Sequence, residues 1–82
     1  MSGRASFDDV FQDVFEDVLG WGATYADADG PATVVGWDSL AQIRLVHALE
    51  TAFDVRLPDA ALLEEQTVGS LKRLVAERGV AV

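Results

Sequence analysis

The feature that most constrains the fold is a run of apolar residues near the N-terminus with the spacing of a helix. Between positions 7 and 19, apolar residues recur every three or four positions, and acidic or amide side chains fill the positions between them. Such a stripe is typical of an amphipathic α-helix that buries one face. We expect Ser6 or an adjacent acid to cap this helix and Gly20 to end it. The stripe consists of Phe7, Val10, Phe11, Val14, Phe15, Val18 and Leu19.

A second stretch of helical spacing begins near the middle of the chain. It predicts a helix from about Ser39 to Phe53, whose start has two candidate caps. Ser39 with Gln42 fits an S-x-x-Q capping box, and Asp38 is the alternative cap. The buried stripe is predicted to be Leu40, Ile43, Val46, Leu49 and Phe53.

Two shorter helices are expected after this one. Pro58 breaks the preceding pattern, and "DAALLEE" then predicts a short helix capped by Asp59. Thr67 is expected to cap a last helix that ends at Gly79. Its apolar stripe would be Val68, Leu71, Leu74 and Val75.

Positions 20–37 show no periodicity and contain four glycines and a proline. We therefore expect a long loop between the first two helices, with parts of it folded back over the core. The residues expected to do so are Trp21, Tyr25, Val34 and Val35. The predicted fold class is all-α: a small four-helix bundle of three main helices and one short helix, forming a single domain over 1–82.

Composition narrows the functional classes. The chain has 82 residues, no cysteine and a net charge of −8, and positions 1–38 hold eight acids against Arg4 alone. This balance disfavours nucleic acid and anionic membranes as partners and favours a basic protein surface. The chain has no apolar run long enough to span a bilayer, and its start lacks the apolar core of a signal peptide. We expect a soluble, cytoplasmic monomer.

The residues offer little for catalysis or for metal binding. His47 is the only histidine, and it lies mid-helix with no acid at an obvious partner spacing. The "ADADG" stretch at 26–30 is too short for a calcium loop, and no phosphate-binding glycine loop is present. We therefore expect a protein that is not an enzyme.

Ser39 allows two interpretations at the start of the second helix. A serine there is ordinarily a cap. The positive end of a helix also favours a phosphate ester, and a flexible loop before it would leave the hydroxyl accessible. From the residues alone, both interpretations stay open.

The stretch "GWDSLAQIRLVHALETAFDVRLPDAAL" at 36–62 resembles the central segment of acyl carrier proteins. The family signature G-x-D-S-L reads here as Gly36 to Leu40. It is followed by a correctly phased helix, an extended "VRLP" and a short third helix, and "TVGSLKRLV" resembles the last helix of the family. The resemblance is close over about 33–76.

This resemblance implies that Ser39 carries 4′-phosphopantetheine, which a phosphopantetheinyl transferase transfers from coenzyme A. Asp38 matches the acid that assists the transferase's metal-bound encounter, and Leu40 matches the leucine that anchors the helix start. The chain would hold acyl groups as thioesters on the arm's thiol. The implied partners are acyl-loading, ketosynthase and acyltransferase-type enzymes.

The chain departs from the family in charge and in one helix end. Carriers of fatty-acid synthesis have an acidic second helix, but here bases cancel much of that charge, so fatty-acid enzymes should bind less well. Asp54 stands where many members have glycine, and aspartate takes the left-handed conformation at some cost. Leu45 lies off the predicted buried stripe, and Trp37 also fits a hydrophobic lid over the helix junction. The predicted partner-binding residues are Trp37, Gln42, Arg44, Leu45, His47 and Glu50.

The pathway is predicted to be polyketide-type or related specialised biosynthesis, such as that of antibiotics. Trp37 resembles the W-D-S-L variant of free-standing carriers in such pathways, and the excess of arginine over lysine suggests a high-GC bacterium. A free-standing aminoacyl or peptidyl carrier is an alternative. A second alternative is an unmodified helical adaptor. Most of its binding energy for a partner protein would then come from Trp21, Trp37, Arg44 and Leu45.

Overall fold

The computed structural model of the protein describes residues 6–20 and 22–78. Within them the regular structure is helical only, with four α-helices in chain order. These are α1 (Phe7–Leu19), α2 (Ser39–Phe53), α3 (Ala60–Leu63) and α4 (Val68–Glu77). The predicted all-α bundle of three main helices and one short helix is confirmed. The expectations for Trp21 and Gly79 lie outside the described residues.

Helix α1 forms as its apolar stripe predicts. Phe11, Val14 and Phe15 are buried in the core. The Ser6 hydroxyl accepts a hydrogen bond from the Asp9 N–H at 3.1 Å, which confirms Ser6 as the cap. Gly20 ends the helix with a φ of 121° that favours glycine.

The predicted buried stripe of α2 is confirmed for Val46 and Leu49 and is wrong for Leu40 and Ile43. Leu40 is 61% exposed and Ile43 is 43% exposed, whereas Leu45, which was expected off the stripe, is fully buried. The buried stripe instead runs through a polar residue, because the Gln42 amide finds hydrogen-bond partners inside the protein. Its members are Ala41, Gln42, Leu45, Val46 and Leu49.

The two C-terminal helices begin differently. Asp59 has helical backbone angles and makes no side-chain hydrogen bond, so the prediction that it caps α3 is wrong. Thr67 caps α4 as predicted, with a reciprocal hydrogen-bond pair to Ser70. Val68, Leu71 and Val75 are buried in α4, and Leu74 is half-buried.

The loop between α1 and α2 packs partly against the core. Tyr25 contacts the rings of Phe11 and Phe15 edge-on, with centroid distances of 5.5 and 4.8 Å, and Val34 is half-buried. Val35 is 97% exposed, so its expected place over the core is wrong. The chain turns at Gly36, whose φ is 91°, and Trp37 enters the core instead.

The same loop is tied to the start of α4. The Asp29 and Asp27 carbonyls accept hydrogen bonds from the N–H groups of Val68 and Gly69, both at 2.8 Å. These contacts satisfy N–H groups that a helix start otherwise leaves free. They also fix the course of the loop that leads to the start of α2.

Candidate functional site

The hydroxyl of Ser39 is free of the capping role at the start of α2. Asp38 is the cap, since its Oδ1 accepts a hydrogen bond from the Ala41 N–H at 2.9 Å. Ser39 is the first residue of the helix and is exposed. The S-x-x-Q capping box does not form, because Gln42 is turned into the protein. Of the two predicted caps, Asp38 is therefore the correct one.

A groove opens beside Ser39 between the start of α2 and α3. Its volume is about 370 Å³, and Ser39 and Ile43 line it on the α2 side. Leu62 and Leu63 line it on the α3 side, and they are 41% and 81% exposed. The chain thus leaves apolar side chains of both helices accessible next to the serine.

A buried hydrogen-bond chain lies along this groove. The Trp37 indole N–H donates to the Gln42 Oε1 at 2.6 Å, and the Gln42 Nε2 donates to the Ala61 carbonyl at 2.6 Å. Trp37 also packs edge-on against Phe15 of α1 at 5.9 Å. It lies over the junction of α1 and α2, as the lid interpretation expects.

The prediction of a partner-binding face needs three corrections. Trp37 is 2% exposed, Gln42 is 9% exposed and Leu45 is fully buried, so none of them offers a surface to a partner in this structure. Each is held inside by packing or by the hydrogen bonds just described. The adaptor hypothesis loses two of its proposed anchors, Trp37 and Leu45, for the same reason.

The remaining predicted partner residues divide into two groups. Arg44 and His47 are exposed on α2, as expected. Glu50 is half-buried, and its Oε2 accepts a hydrogen bond from the Leu57 N–H at 2.8 Å, so it joins α2 to the following segment.

Leu40 lies exposed beside Ser39 and does not anchor the helix start by burial. The sequence pattern did not reveal that Leu40 and Ile43 are exposed, because helical spacing assigned both to the buried stripe of α2.

The described part of the chain contains neither a cluster of metal ligands nor a membrane-spanning helix. Over residues 6–20 and 22–78, no three histidine, cysteine, aspartate or glutamate side chains come together as metal ligands. Helices of the same residues are too short or too polar to cross a membrane.

Comparison with known proteins identifies the family. A family model described as the phosphopantetheine attachment site matches residues 9–75. The acyl carrier protein of Phenylobacterium zucineum (strain HLK1) is 43% identical over 44 residues, which cover 54% of this chain and 56% of that protein. The chain belongs to the acyl carrier protein family. The acyl carrier proteins of two Caulobacter vibrioides strains, NA1000 / CB15N and ATCC 19089 / CIP 103742 / CB 15, are 41% identical over segments of the same length.

Membership implies a covalently attached 4′-phosphopantetheine, and acyl carrier proteins are carriers rather than catalysts. The chain spans little more than half the length of the curated relatives it matches. No match to a solved structure was found.

The residues around Ser39 fit such a group. Its hydroxyl is exposed at the N-terminal end of a 15-residue helix. That end carries the partial positive charge of the helix dipole, which favours an esterified phosphate. The groove alongside leaves space next to the serine for what the phosphate carries.

Proposed function

We propose that this chain is a discrete acyl carrier whose 4′-phosphopantetheine arm is attached to Ser39. When bound, the arm supplies a terminal thiol that holds an acyl group as a thioester. The observation that supports this proposal best is the exposed Ser39 hydroxyl on the first turn of α2, left free because Asp38 caps the helix.

The surrounding residues suit modification by a transferase. Asp38 is exposed next to the serine, so its carboxylate can serve both the helix start and a metal ion brought by the transferase. Leu40, which is 61% exposed, offers an apolar contact on the other side of the serine. An enzyme that approaches Ser39 thus meets an acid and a leucine without unfolding the helix.

Intact-protein mass spectrometry tests this assignment. The apo protein is incubated with coenzyme A and a promiscuous phosphopantetheinyl transferase, and one pantetheinyl mass increase is expected on the wild type. Ser39→Ala should show no increase and should remain as stable as the wild type, because the cap is Asp38.

Ser6→Ala is the matched control, since Ser6 is another exposed serine at a helix start. It should accept the full mass increase. An increase on Ser39→Ala, or none on the folded wild type, would overturn the attachment proposal.

We assign the carrier to polyketide-type or related specialised biosynthesis rather than to fatty-acid synthesis. The support is the exposed positive charge of Arg44 next to exposed His47 on α2, since basic partner enzymes bind best to an acidic face. The proposed partners are the phosphopantetheinyl transferase and acyl-loading, ketosynthase or acyltransferase-type enzymes. The aminoacyl carrier alternative shares the Ser39 chemistry and differs only in cargo. The cytoplasmic location and the monomeric state stay predictions.

A further inference from the structure

A buried amide lies between Ser39 and the rest of α2 in the lining of the groove. Gln42 lines the groove together with Trp37, yet the two residues are only 9% and 2% exposed. The Gln42 Oε1 accepts from the Trp37 indole N–H and the Nε2 donates to the Ala61 carbonyl, each at 2.6 Å. Both polar ends of the amide are thus paired across three segments of the chain.

The apolar interior begins one helical turn beyond this amide. Leu45 and Val46 follow Gln42 at i+3 and i+4 on the same face of α2, and Leu49 follows them. All three are at most 2% exposed. A chain that moves from the groove into the core along the Gln42 face of α2 would therefore have to displace the Gln42 amide.

Displacing this amide is unfavourable for two reasons. It breaks the bond to Trp37 and leaves a buried indole N–H without an acceptor. It also removes the donor from the Ala61 carbonyl, and Ala61 is fully buried. Buried polar groups are nearly always paired, because an unpaired one keeps its full desolvation cost.

We propose that Gln42, held by Trp37 and Ala61, closes the helical core to the cargo, so that the cargo lies in the groove between α2 and α3. The three residues are called the amide gate below. The inference rests on the proposed attachment at Ser39. Gln42 and Trp37 are positioning residues here: they fix where the acyl group lies without carrying it.

The lining of the groove then bears on the class of cargo. Its volume of about 370 Å³ lies near the lower end of the range for small-molecule sites, about 300–1,000 Å³. Ile43 and Leu62 offer it apolar contacts, while Glu64 and Glu65 also line it with charge. A long saturated chain would leave much of its apolar surface in water. The charged part of the lining therefore favours acyl groups with polar substituents over purely saturated ones.

Chain-length dependence of NMR shifts tests the amide gate. The apo protein, labelled with ¹⁵N, is loaded by a promiscuous transferase from butyryl-coenzyme A or octanoyl-coenzyme A, and amide shifts are compared with the unacylated holo form. In the wild type, both acyl groups should shift the amides of Ile43 and Leu62. The amides of Leu45 and Leu49 should stay the same for both chain lengths.

Gln42→Ala removes the gate, so the longer acyl chain should now enter the core while the shorter one should not. Octanoyl loading should now shift the amides of Leu45 and Leu49, and hydroxylamine should cleave the octanoyl thioester several-fold more slowly than in the wild type. Gln66→Ala is the matched control. Gln66 is also a buried amide that donates to an α3 carbonyl, that of Ala60, but it bonds to Ser70 rather than to Trp37.

A second variant covers the case in which Gln42→Ala does not fold. Trp37→Phe keeps an aromatic ring against Phe15 and removes the indole donor to Gln42, together with part of the ring volume. It should give the same chain-length response in weaker form.

Two results would overturn the amide gate. One is an octanoyl-dependent shift of the Leu45 and Leu49 amides in the wild type. The other is the absence of any octanoyl-dependent shift of these two amides in folded Gln42→Ala and Trp37→Phe. Mass spectra recorded before the NMR separate a different failure. A folded wild type that accepts no acyl-pantetheine would overturn the Ser39 proposal, and the amide gate with it.

Discussion

At the start of α2, Asp38 combines a structural role with a proposed functional one. Its Oδ1 caps the helix by accepting the Ala41 N–H, and its charge lies next to the Ser39 hydroxyl. Asparagine caps a helix about as well as aspartate but carries no charge. Substitution at this one position can therefore separate the two roles.

Asp38→Asn should keep wild-type stability but accept the pantetheinyl group more slowly, because the carboxylate facing the transferase metal is lost. Asp38→Ala should also lose about 1 kcal/mol of unfolding free energy, since the cap is gone. Urea unfolding gives the stability, and the time course of the mass increase gives the rate. If Asp38→Asn were modified as fast as the wild type, Asp38 would serve only as a cap.

Asp54 shows a local cost that a single substitution can relieve. It ends α2 in the left-handed region, with φ 54° and ψ 51°, as its place in the sequence predicted. The left-handed conformation costs an ordinary L-residue about 1–2 kcal/mol, and less for aspartate. Asp54→Gly should therefore stabilise the protein, by about 0.5 kcal/mol after the larger chain entropy of glycine is subtracted.

Asp54→Ala is the control, because alanine has neither the freedom of glycine nor a polar side chain that supports this conformation. Its midpoint of urea unfolding should fall below that of the wild type, while the midpoint of Asp54→Gly should rise. Equal midpoints for the two variants would show that the left-handed cap carries no strain.

Among the elements, the loop and α4 are joined by Lys72. The Lys72 Nζ lies 3.3 Å from an Asp27 oxygen and 3.5 Å from an Asp8 oxygen. It also lies 4.9 Å from the centre of the Tyr25 ring. Because both carboxylates are exposed, the ion pairs contribute little, and the contact with the ring accounts for much of the stabilisation.

Lys72→Met keeps the apolar stem and removes the charge, and we expect a loss of about 1 kcal/mol from the cation–π contact and the weak ion pairs. Arg73→Met, one position along on the exposed face, should change little. Thermal or urea unfolding of the two variants measures the difference. Equal losses would show that Lys72 has no special role.

The same cluster predicts a decline of stability at alkaline pH. Burial lowers the pKa of Lys72, but hydrogen bonding to Asp27 and the charges nearby outweigh it, so the pKa is raised in the folded protein. Burial raises the pKa of Tyr25 as well. A raised folded pKa stabilises the protein below the unfolded pKa and loses that effect as the pH rises through the folded value. The unfolding free energy, measured by urea titration at a series of pH values, should therefore fall above pH 10.0, the ordinary tyrosine value.

The helices themselves could be predicted from the sequence because local signals determine them. The stripe of α1, the Ser6 cap and the Thr67 cap all act within one or two turns, and each is found as predicted. The rotation of α2 could not be predicted. Its apolar residues outnumber the buried positions, and only the partners of Gln42, distant in the chain, decide which face is buried.

The candidate site was likewise predictable in part. The signature around Ser39 marked the position, and the structure places this residue exposed at the helix start as that interpretation requires. The groove and the docking of the loop carbonyls of Asp27 and Asp29 on α4 were not predictable. Backbone contacts between distant segments leave no pattern in side-chain type.

The whole molecule carries a strongly negative net charge, but α2 contributes little to it. The net charge is −8, and the acids concentrate before Ser39. Exposed Arg44 adds positive charge to α2. Basic partner enzymes that bind an acidic second helix should therefore bind α2 of this chain less well.

Arg44→Glu should increase the rate at which a malonyl-transferring enzyme of fatty-acid synthesis loads the holo protein, and added salt should reduce the gain. Arg73→Glu makes the same charge change on the exposed face of α4 and is the control. Initial rates at low and high ionic strength measure the effect. Equal gains in both variants would show that net charge, rather than the α2 face, governs the encounter.

The docking of the loop on α4 has a consequence for protein engineering. The Asp27 and Asp29 carbonyls meet the N–H groups of Val68 and Gly69, and a methyl group added at Gly30 would come within 2.9 Å of the Gln66 carbonyl oxygen. A hybrid carrier that takes its loop from one parent and α4 from another would have to re-form these contacts between two segments that did not come from the same protein. One that exchanges only 37–65 would inherit them intact. Cargo and partner preferences are therefore best transplanted as that central cassette, with the loop and α4 kept from the same parent.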